Sequence, residues 1–316
     1  EIFGVTGDAL NPFLDAIRYQ DQVRWIGVRH EETAAYAATA QSQLTGRLGV
    51  CAGTVGPGAL HLLNGLYNAK KEGAAVLAIT GQVPRAEMGT GYFQEVNLSK
   101  VFDDVCIHQG LVEAPEQMPR VVELAIQAAM SHRGVARIEI PSDVGPMKVP
   151  RGGVSHEIFT SHSEVIPGDN DLDTAAAALN KARKVTILSG SGCRGARDEL
   201  VAIAEKLQAP IVHALKGADV VESEHPHWVG LTGLIGTHAG YHAVEECDLL
   251  LMVGTDFPYR VFYPTDVPVI QVDIRGEHLG KRCGVTHGLL GHARPILKAL
   301  EERVTAKTET KHLEKA

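Results

Sequence analysis

The stretch "VRHEETAAYAATAQSQLTG" (28–46) places Arg29, His30, Glu31 and Glu32 where a short apolar run, "VRWIGV", gives way to an alanine-rich helical pattern. Carboxylates in a first helical turn offset the exposed amide dipoles, so capping is the plain reading of Glu31 and Glu32. Ionisable groups gathered at the C-terminal edge of a strand also sit where acid–base chemistry is built, and capping alone leaves the pair only half explained.

Glycine-bearing turns come next. "VTILSGSGCRGARDELVAIAEKL" holds Gly190-x-Gly192-x-x-Gly195 after a strand-like run and before a helical one, the context in which glycines let backbone amides approach a pyrophosphate. The acidic residue of a standard dinucleotide site is missing after the next strand, where "PIVHALKG" supplies His213 and Lys216, so a standard NAD fold is disfavoured. "GLTGLIGTHAG" (230–240) and "MVGTDFPYRVFYPTD" (252–266) are further turns of this kind. Asp273 closes "VIQVDI", where it can accept from a ribose or ribityl hydroxyl or else cap a turn. Nearer the N-terminus, Gly56-Pro57-Gly58 in "AGTVGPGALHLLNGLYNA" is a tight turn or a place for a flat ring against the backbone. "GTGYFQEVN" sets Phe93, Gln94 and Glu95 on a loop, open to a ligand or packed on the domain.

Alternating elements must position these residues. Strand patterns at 2–5, 23–28, 48–52, 74–80 and 135–140 are separated by helical patterns at 9–19, 31–44, 59–71 and 115–131. That alternation predicts an α/β domain with an open parallel sheet over 1–146. The Gly-, Pro-, Ser- and His-rich stretch 147–170 reads as a linker. A second alternation follows, with helices at 172–182, 196–207 and 293–304 and strands at 185–189, 210–213, 249–253 and 269–273. It predicts a second α/β domain over 171–306, with 307–316 as the start of a further linker.

Composition narrows the class. The chain has 316 residues, 44% of them hydrophobic, and a net charge of −8 with no run of Lys and Arg, which removes the electrostatic basis for nucleic-acid binding. Cys51, Cys106, Cys193, Cys247 and Cys283 are scattered singly, with no CxxC and no Cys/His metal spacing, and read as reduced buried thiols of a cytoplasmic protein. No metal ligands are expected. No stretch has the roughly 18 apolar residues of a membrane span.

Taken in order, "GVTGDALN", "VRHEETAAYAA", "CAGTVGPGALHLLNGL", "GYFQE", "GSGCRGA", "HALKG", "GLTGLIG", "GTDFPYR" and "QVDI" resemble the pyruvate oxidase and pyruvate:quinone oxidoreductase group of thiamine-diphosphate enzymes, relatives of the acetolactate synthases. The resemblance implies a pyrimidine-binding domain followed by a Rossmann-like FAD-binding domain. A third domain would hold the cofactor diphosphate through magnesium, and no GDG-type motif for it occurs in the chain. It implies a homo-oligomer, a dimer or tetramer, and a fragment inactive alone. Any membrane contact would lie in a C-terminal segment beyond this chain, leaving the whole protein cytoplasmic or peripheral at the inner face of the membrane.

By the same resemblance, Glu31 meets the aminopyrimidine of thiamine diphosphate beside Gly56, Pro57 and Gly58, and Phe93 and Gln94 face the substrate, pyruvate or another small 2-oxo acid. Glu32 is left as the capping residue. FAD contacts fall on Gly190, Ser191 and Gly192, on Thr232, Gly233, Leu234 and Ile235, on Thr255, Asp256, Phe257, Pro258 and Tyr259, and on Asp273. Electrons would pass to FAD and then to a quinone or other acceptor. Two alternatives stay open: an acetolactate-synthase-type carboligase, and a non-catalytic flavin- or nucleotide-binding module.

Overall fold

The computed structural model describes residues 1–149, 158 and 163–316 and divides into two compact units between His162 and Ser163. The division falls within the stretch read as a linker. The second unit takes up the chain earlier than the pattern suggests, because the Val165 amide donates to His292 Nδ1 at 2.9 Å.

The first unit runs β1 (Ile2–Gly4), α1 (Asn11–Arg18), β2 (Trp25–Gly27), α2 (Glu31–Thr45), β3 (Gly49–Gly53), α3 (Pro57–His61), α4 (Leu63–Glu72), β4 (Val76–Gln82), α5 (Leu98–Val101), β5 (Cys106–Leu111), α6 (Met118–His132) and β6 (Val135–Pro141). Its six strands are all parallel, in the order β2-β1-β3-β4-β6-β5. Alternate residues of β4 serve opposite faces: Val76 and Ala78 pack with Ala34, Ala38 and Leu66, while Leu77 and Ile79 pack with Leu10, Ala125 and Ala129. Burial on both faces makes the strand continuously apolar, as a sheet covered by helices requires. The single helix expected over 59–71 begins at Pro57 and breaks at Leu62, whose N–H turns to the Ala59 carbonyl three residues back.

The second unit runs α7 (Asp169–Lys181), β7 (Val185–Ser189), α8 (Arg197–Leu207), β8 (Ile211–His213), β9 (Trp228–Leu231), α9 (His238–Glu245), β10 (Leu249–Val253), β11 (Val269–Asp273), β12 (His287–Leu290), α10 (Ala293–Arg303) and α11 (Lys311–Lys315). Its six parallel strands lie in the order β12-β11-β10-β7-β8-β9. The chain moves outward from β7 through β8 to β9, then crosses to β10 on the other side of β7. The β7/β10 boundary is therefore the topological switch point, where open α/β sheets take their ligands.

Residues 307–316, expected as a linker, instead pack on this unit. Lys307 Nζ donates to the Leu179 carbonyl at 2.7 Å, and buried His312 meets Thr186 Oγ1 at 2.8 Å. The hydroxyl inside β7 donates to the Ala243 carbonyl at 2.6 Å, and the tail supplies it with a second partner. All five cysteines are free, and burial pushes the Cys193, Cys247 and Cys106 thiols up to about 12, far from the thiolate form. No helix among the described residues is long and apolar enough to cross a membrane.

Candidate functional site

Glu31 is the first residue of α2, carried there as the chain leaves edge strand β2, and it is 7% exposed. The N-cap is His30, in extended backbone, whose Nδ1 accepts the Glu32 N–H at 3.3 Å. Glu32 is therefore not the cap; its Oε1 accepts from Asn64 Nδ2 at 2.5 Å and ties α2 to α4. An imidazole supplies the capping acceptor, which leaves both carboxylates to reach outward from the helix end.

The Glu31 carboxyl is held at one oxygen. Oε2 lies 2.9 Å from His61 Nδ1 at the end of α3, and a Cβ on Gly58 would come within 3.1 Å of Oε1 and 2.7 Å of Thr54 Cγ2. Gly58 thus keeps open the space beside Oε1. Thr54 Oγ1 is buried there with no hydrogen-bond partner among the described residues, a polar atom placed for a ligand to satisfy. Gly56 has φ +60°, and a Cβ on it would stand 2.6 Å from the Gln94 carbonyl, so the loop after β4 lies directly on the Gly56-Pro57-Gly58 turn. Gln94 itself has φ +65°, a left-handed conformation rare outside glycine. Phe93 is 79% exposed and projects into solvent.

The Gln94 loop is anchored twice. The Glu95 carboxylate accepts the amides of Gly89, Gly91 and Tyr92, and these backbone hydrogen bonds, Gly89 first, hold its pKa below the usual carboxylate range. At its base, buried Gln82 donates to the Val96 carbonyl at 3.0 Å and to Glu139 Oε1 at 2.7 Å. Glu139 in turn pairs at 2.6 Å with Arg137, which donates to Thr80 Oγ1 at 2.9 Å and lies 5.0 Å from the Phe102 ring centroid. Sequence reading missed this network; a charged pair inside "VARIEIP", an otherwise apolar strand, is the signal that could have found it.

In the second unit the predicted residues gather at the C-terminal ends of five adjacent strands, in the sheet order Asp273, 255–259, 190–192, His213 and 232–235. Most amides of the GxGxxG turn are engaged within the protein. The Gly190 and Gly192 amides donate to the Val253 and Gly254 carbonyls, each at 3.0 Å, and those of Cys193 and Arg194 close the turn on itself. A Cβ on Gly192 would stand 2.6 Å from Gly254 Cα, and one on Gly190 2.4 Å from the Gly254 carbonyl oxygen. These glycines let the two switch-point loops pack backbone to backbone. Helix α8 starts only at Arg197 and carries Asp198 and Glu199 in its first turn, which disfavours an anion there.

Other predicted contacts divide similarly. Gly233 lies on Phe257, whose ring a Cβ would meet at 3.1 Å, which joins the 232–235 and 255–259 loops; Leu234 and Ile235 stand exposed on top. Asp256 is paired with Arg282 at 2.7 Å, and Asp273 accepts from the Arg275 amide at 2.9 Å and lies 3.3 Å from His278 Nδ1. Asp273 is therefore a turn cap in this arrangement. Two buried polar atoms lack partners among the described residues: Thr232 Oγ1 and His213 Nε2. His213 is fully buried with Nδ1 2.6 Å from Ser189 Oγ, and burial lowers its pKa to about 4. Both atoms lie near the C-terminal ends of β8 and β9, where the exposed Leu234 and Ile235 also stand.

Two all-parallel α/β units in series agree with comparison to known proteins. The thiamine pyrophosphate enzyme N-terminal TPP binding domain matches residues 1–101, and the thiamine pyrophosphate enzyme central domain matches residues 172–300. The chain is 47% identical over 316 residues to an uncharacterised 42.6 kDa protein encoded in the isoamylase 3′ region of Pseudomonas amyloderamosa, covering 99% of this chain and 79% of that protein. It is 42% identical over 313 residues to a Bacillus subtilis protein provisionally named as thiamine pyrophosphate-containing, covering 99% and 54%. It is 30% identical over 317 residues to pyruvate oxidase of Lactiplantibacillus plantarum, covering 98% and 52%. Acetolactate synthases are among the further relatives. The chain belongs to the thiamine pyrophosphate enzyme family. It spans about half the length of most of these relatives.

Proposed function

We propose that this chain forms the pyrimidine-binding and FAD-binding domains of a thiamine-diphosphate- and FAD-dependent pyruvate oxidoreductase. The observation that carries the reading is Glu31: buried at the start of α2, held by His61 at Oε2, and open beside Gly58 at Oε1. Thiamine diphosphate, when bound, supplies an acidic ring carbon that attacks a 2-oxo acid and takes up electrons as carbon dioxide leaves, and FAD supplies an acceptor for two of them. Glu31 would exchange a proton with a nitrogen of the aminopyrimidine ring through Oε1, the carboxyl oxygen left open beside Gly58. Gly58 gives the ring its approach, Thr54 Oγ1 offers it a hydrogen bond, and the Gln94 loop closes over the substrate side. On the second unit, the unpartnered Thr232 Oγ1 and His213 Nε2 would be the polar groups to hold a flavin nucleotide, with Leu234, Ile235 and Tyr259 as its apolar neighbours. Magnesium would be held outside this chain, so the chain alone lacks turnover.

By resemblance, the motifs "HEETAAYAA" and "GTDFPYRVFYPTD" side with the pyruvate oxidase group rather than the acetolactate synthases. In the full-length protein, Glu31→Gln should keep the fold but abolish isotope exchange at the thiazolium carbon. If Glu31→Gln exchanges as fast as the parent while Glu32→Gln does not, the wrong carboxylate has been chosen. Anaerobic addition of pyruvate should bleach the flavin one equivalent per site; acetolactate formation with no net flavin reduction would establish the carboligase instead.

A further inference from the structure

His30, Glu31 and His61 each place one donor atom within 4.8 Å of the others, the one such group of three among the described residues. The two imidazoles stack, with centroids 4.5 Å apart and planes at 27°, and their side chains are 49% and 47% exposed above a carboxyl that is 9% exposed. We propose that these residues bind a divalent transition-metal ion of the zinc class, and that the ion and the cofactor ring exclude one another. The second half rests on the role assigned above to Glu31; the first does not.

The donor set selects the ion. Two imidazoles and one carboxylate are the ligands that zinc, cobalt(II) and nickel(II) prefer, and three protein ligands leave a fourth position for water. Magnesium and calcium require six or more oxygens, which this site does not offer. Metal–nitrogen bonds of about 2.0–2.1 Å put tetrahedral ligands about 3.3 Å apart, so the widest pair closes by roughly 1.5 Å. Rotation of the exposed His30 and His61 rings covers that distance.

The donors have lone pairs to give. His30 Nδ1 already accepts the Glu32 N–H, so its proton is on Nε2, and the cost of ligation is one long hydrogen bond of 3.3 Å. Between Glu31 Oε2 and His61 Nδ1, 2.9 Å apart, the ion replaces a proton, which moves to His61 Nε2. The Glu32 carboxylate, 3.9 Å from His30 Nδ1, adds negative charge that favours a cation. A metal on Oε2 leaves the carboxyl no proton to hold at Oε1, the oxygen that would meet the aminopyrimidine, so the apo site would be blocked by metal and reopened by a chelator.

The test titrates the purified 316-residue chain with zinc chloride by calorimetry and with cobalt(II) by visible absorption, without cofactor. One ion per chain should bind at micromolar concentration with the intense d–d absorption of four-coordinate cobalt. His61→Ala and, separately, His30→Gln should weaken that site roughly tenfold or more, while a double substitution of His238 and His242, the other close histidine pair at 4.2 Å, should leave it intact. Absence of micromolar binding, or binding unchanged in both single variants with native circular dichroism, overturns the site. In the full-length protein, prior loading with thiamine diphosphate and magnesium should abolish the cobalt spectrum. Loaded protein that still takes cobalt at the same affinity overturns the exclusion, whereas failure of the cofactor to bind sinks the proposed function and leaves the metal site standing.

Discussion

Acidification should destabilise the second unit through one buried imidazole. His213 is fully buried between Ser189 and Trp228, and protonation would add a second N–H and a net charge in the sheet, where Nε2 has no partner. Burial lowers its folded pKa from 6.5 to about 4. Above the ordinary value both folded and unfolded states are neutral and the group contributes no pH dependence. As pH falls from 6.5 toward 4 the unfolded chain takes up a proton that the folded chain refuses, so stability is lost across that window. By about pH 4.5 the loss amounts to about 2.5 kcal/mol. Trp25 and Trp228, the two tryptophans, report one unit each, so urea unfolding followed by Trp228 fluorescence in a Trp25→Phe background isolates the second unit. His213→Gln keeps a polar group beside Ser189 without a titrating ring. Between about pH 7 and pH 4.5 the parent should lose about 2–3 kcal/mol more than this variant. His312, whose pKa burial also lowers, adds a loss of the same sign to both proteins, so the difference between them is the diagnostic quantity. Equal losses in parent and variant would refute the argument.

Other outcomes follow from the glycines. Gly58→Ala should raise helix propensity by about 1 kcal/mol in α3, yet its Cβ falls 2.7 Å from Thr54 Cγ2 and 3.1 Å from Glu31 Oε1; overpacking should dominate, lowering stability by about 1–3 kcal/mol in a Trp25-monitored melt and slowing isotope exchange at the cofactor. A stabilised variant with unimpaired exchange would show that the space beside Oε1 is unused. Gly192→Leu should separate the 190–192 and 252–254 loops, lowering the Trp228-monitored midpoint and removing bound flavin from the full-length protein while the Trp25-monitored transition stays put; full retention of flavin absorbance would count against a strand-end flavin site.

Much of this molecule can be read from local pattern. Continuous apolar runs such as "VLAIT" and "LLLMV" announce strands covered on both faces, and the helical periods between them require a parallel sheet, since each crossover returns the chain to the same edge. Glu31 is legible too, as a carboxyl just past a strand. The elements that escape notice are short or half-exposed. Strands β5, β9 and β12 hold four to six residues whose pattern carries little periodicity, and they are strands because a neighbour offers them a ladder. Helix α9 escapes because a glycine interrupts "THAGYHAVEE".

What the tertiary structure alone decides is which partner each group meets. Local spacing makes Gly190, Gly192 and Gly195 a phosphate turn; only the crossing of the chain from β9 to β10 brings Gly254 against Gly192 and commits those amides to another loop. Spacing makes Glu32 a cap, whereas the packing of α4 on α2 hands it to Asn64 and leaves capping to His30. No metal pattern exists along the chain, because His30 and His61 are thirty-one positions apart and meet only where the start of α2 comes against the end of α3. Hydrophobic periodicity is a property of each segment and survives in the sequence; hydrogen-bond and ligand geometry are properties of pairs, set by register and crossover, and exist only once the sheet has closed the distance.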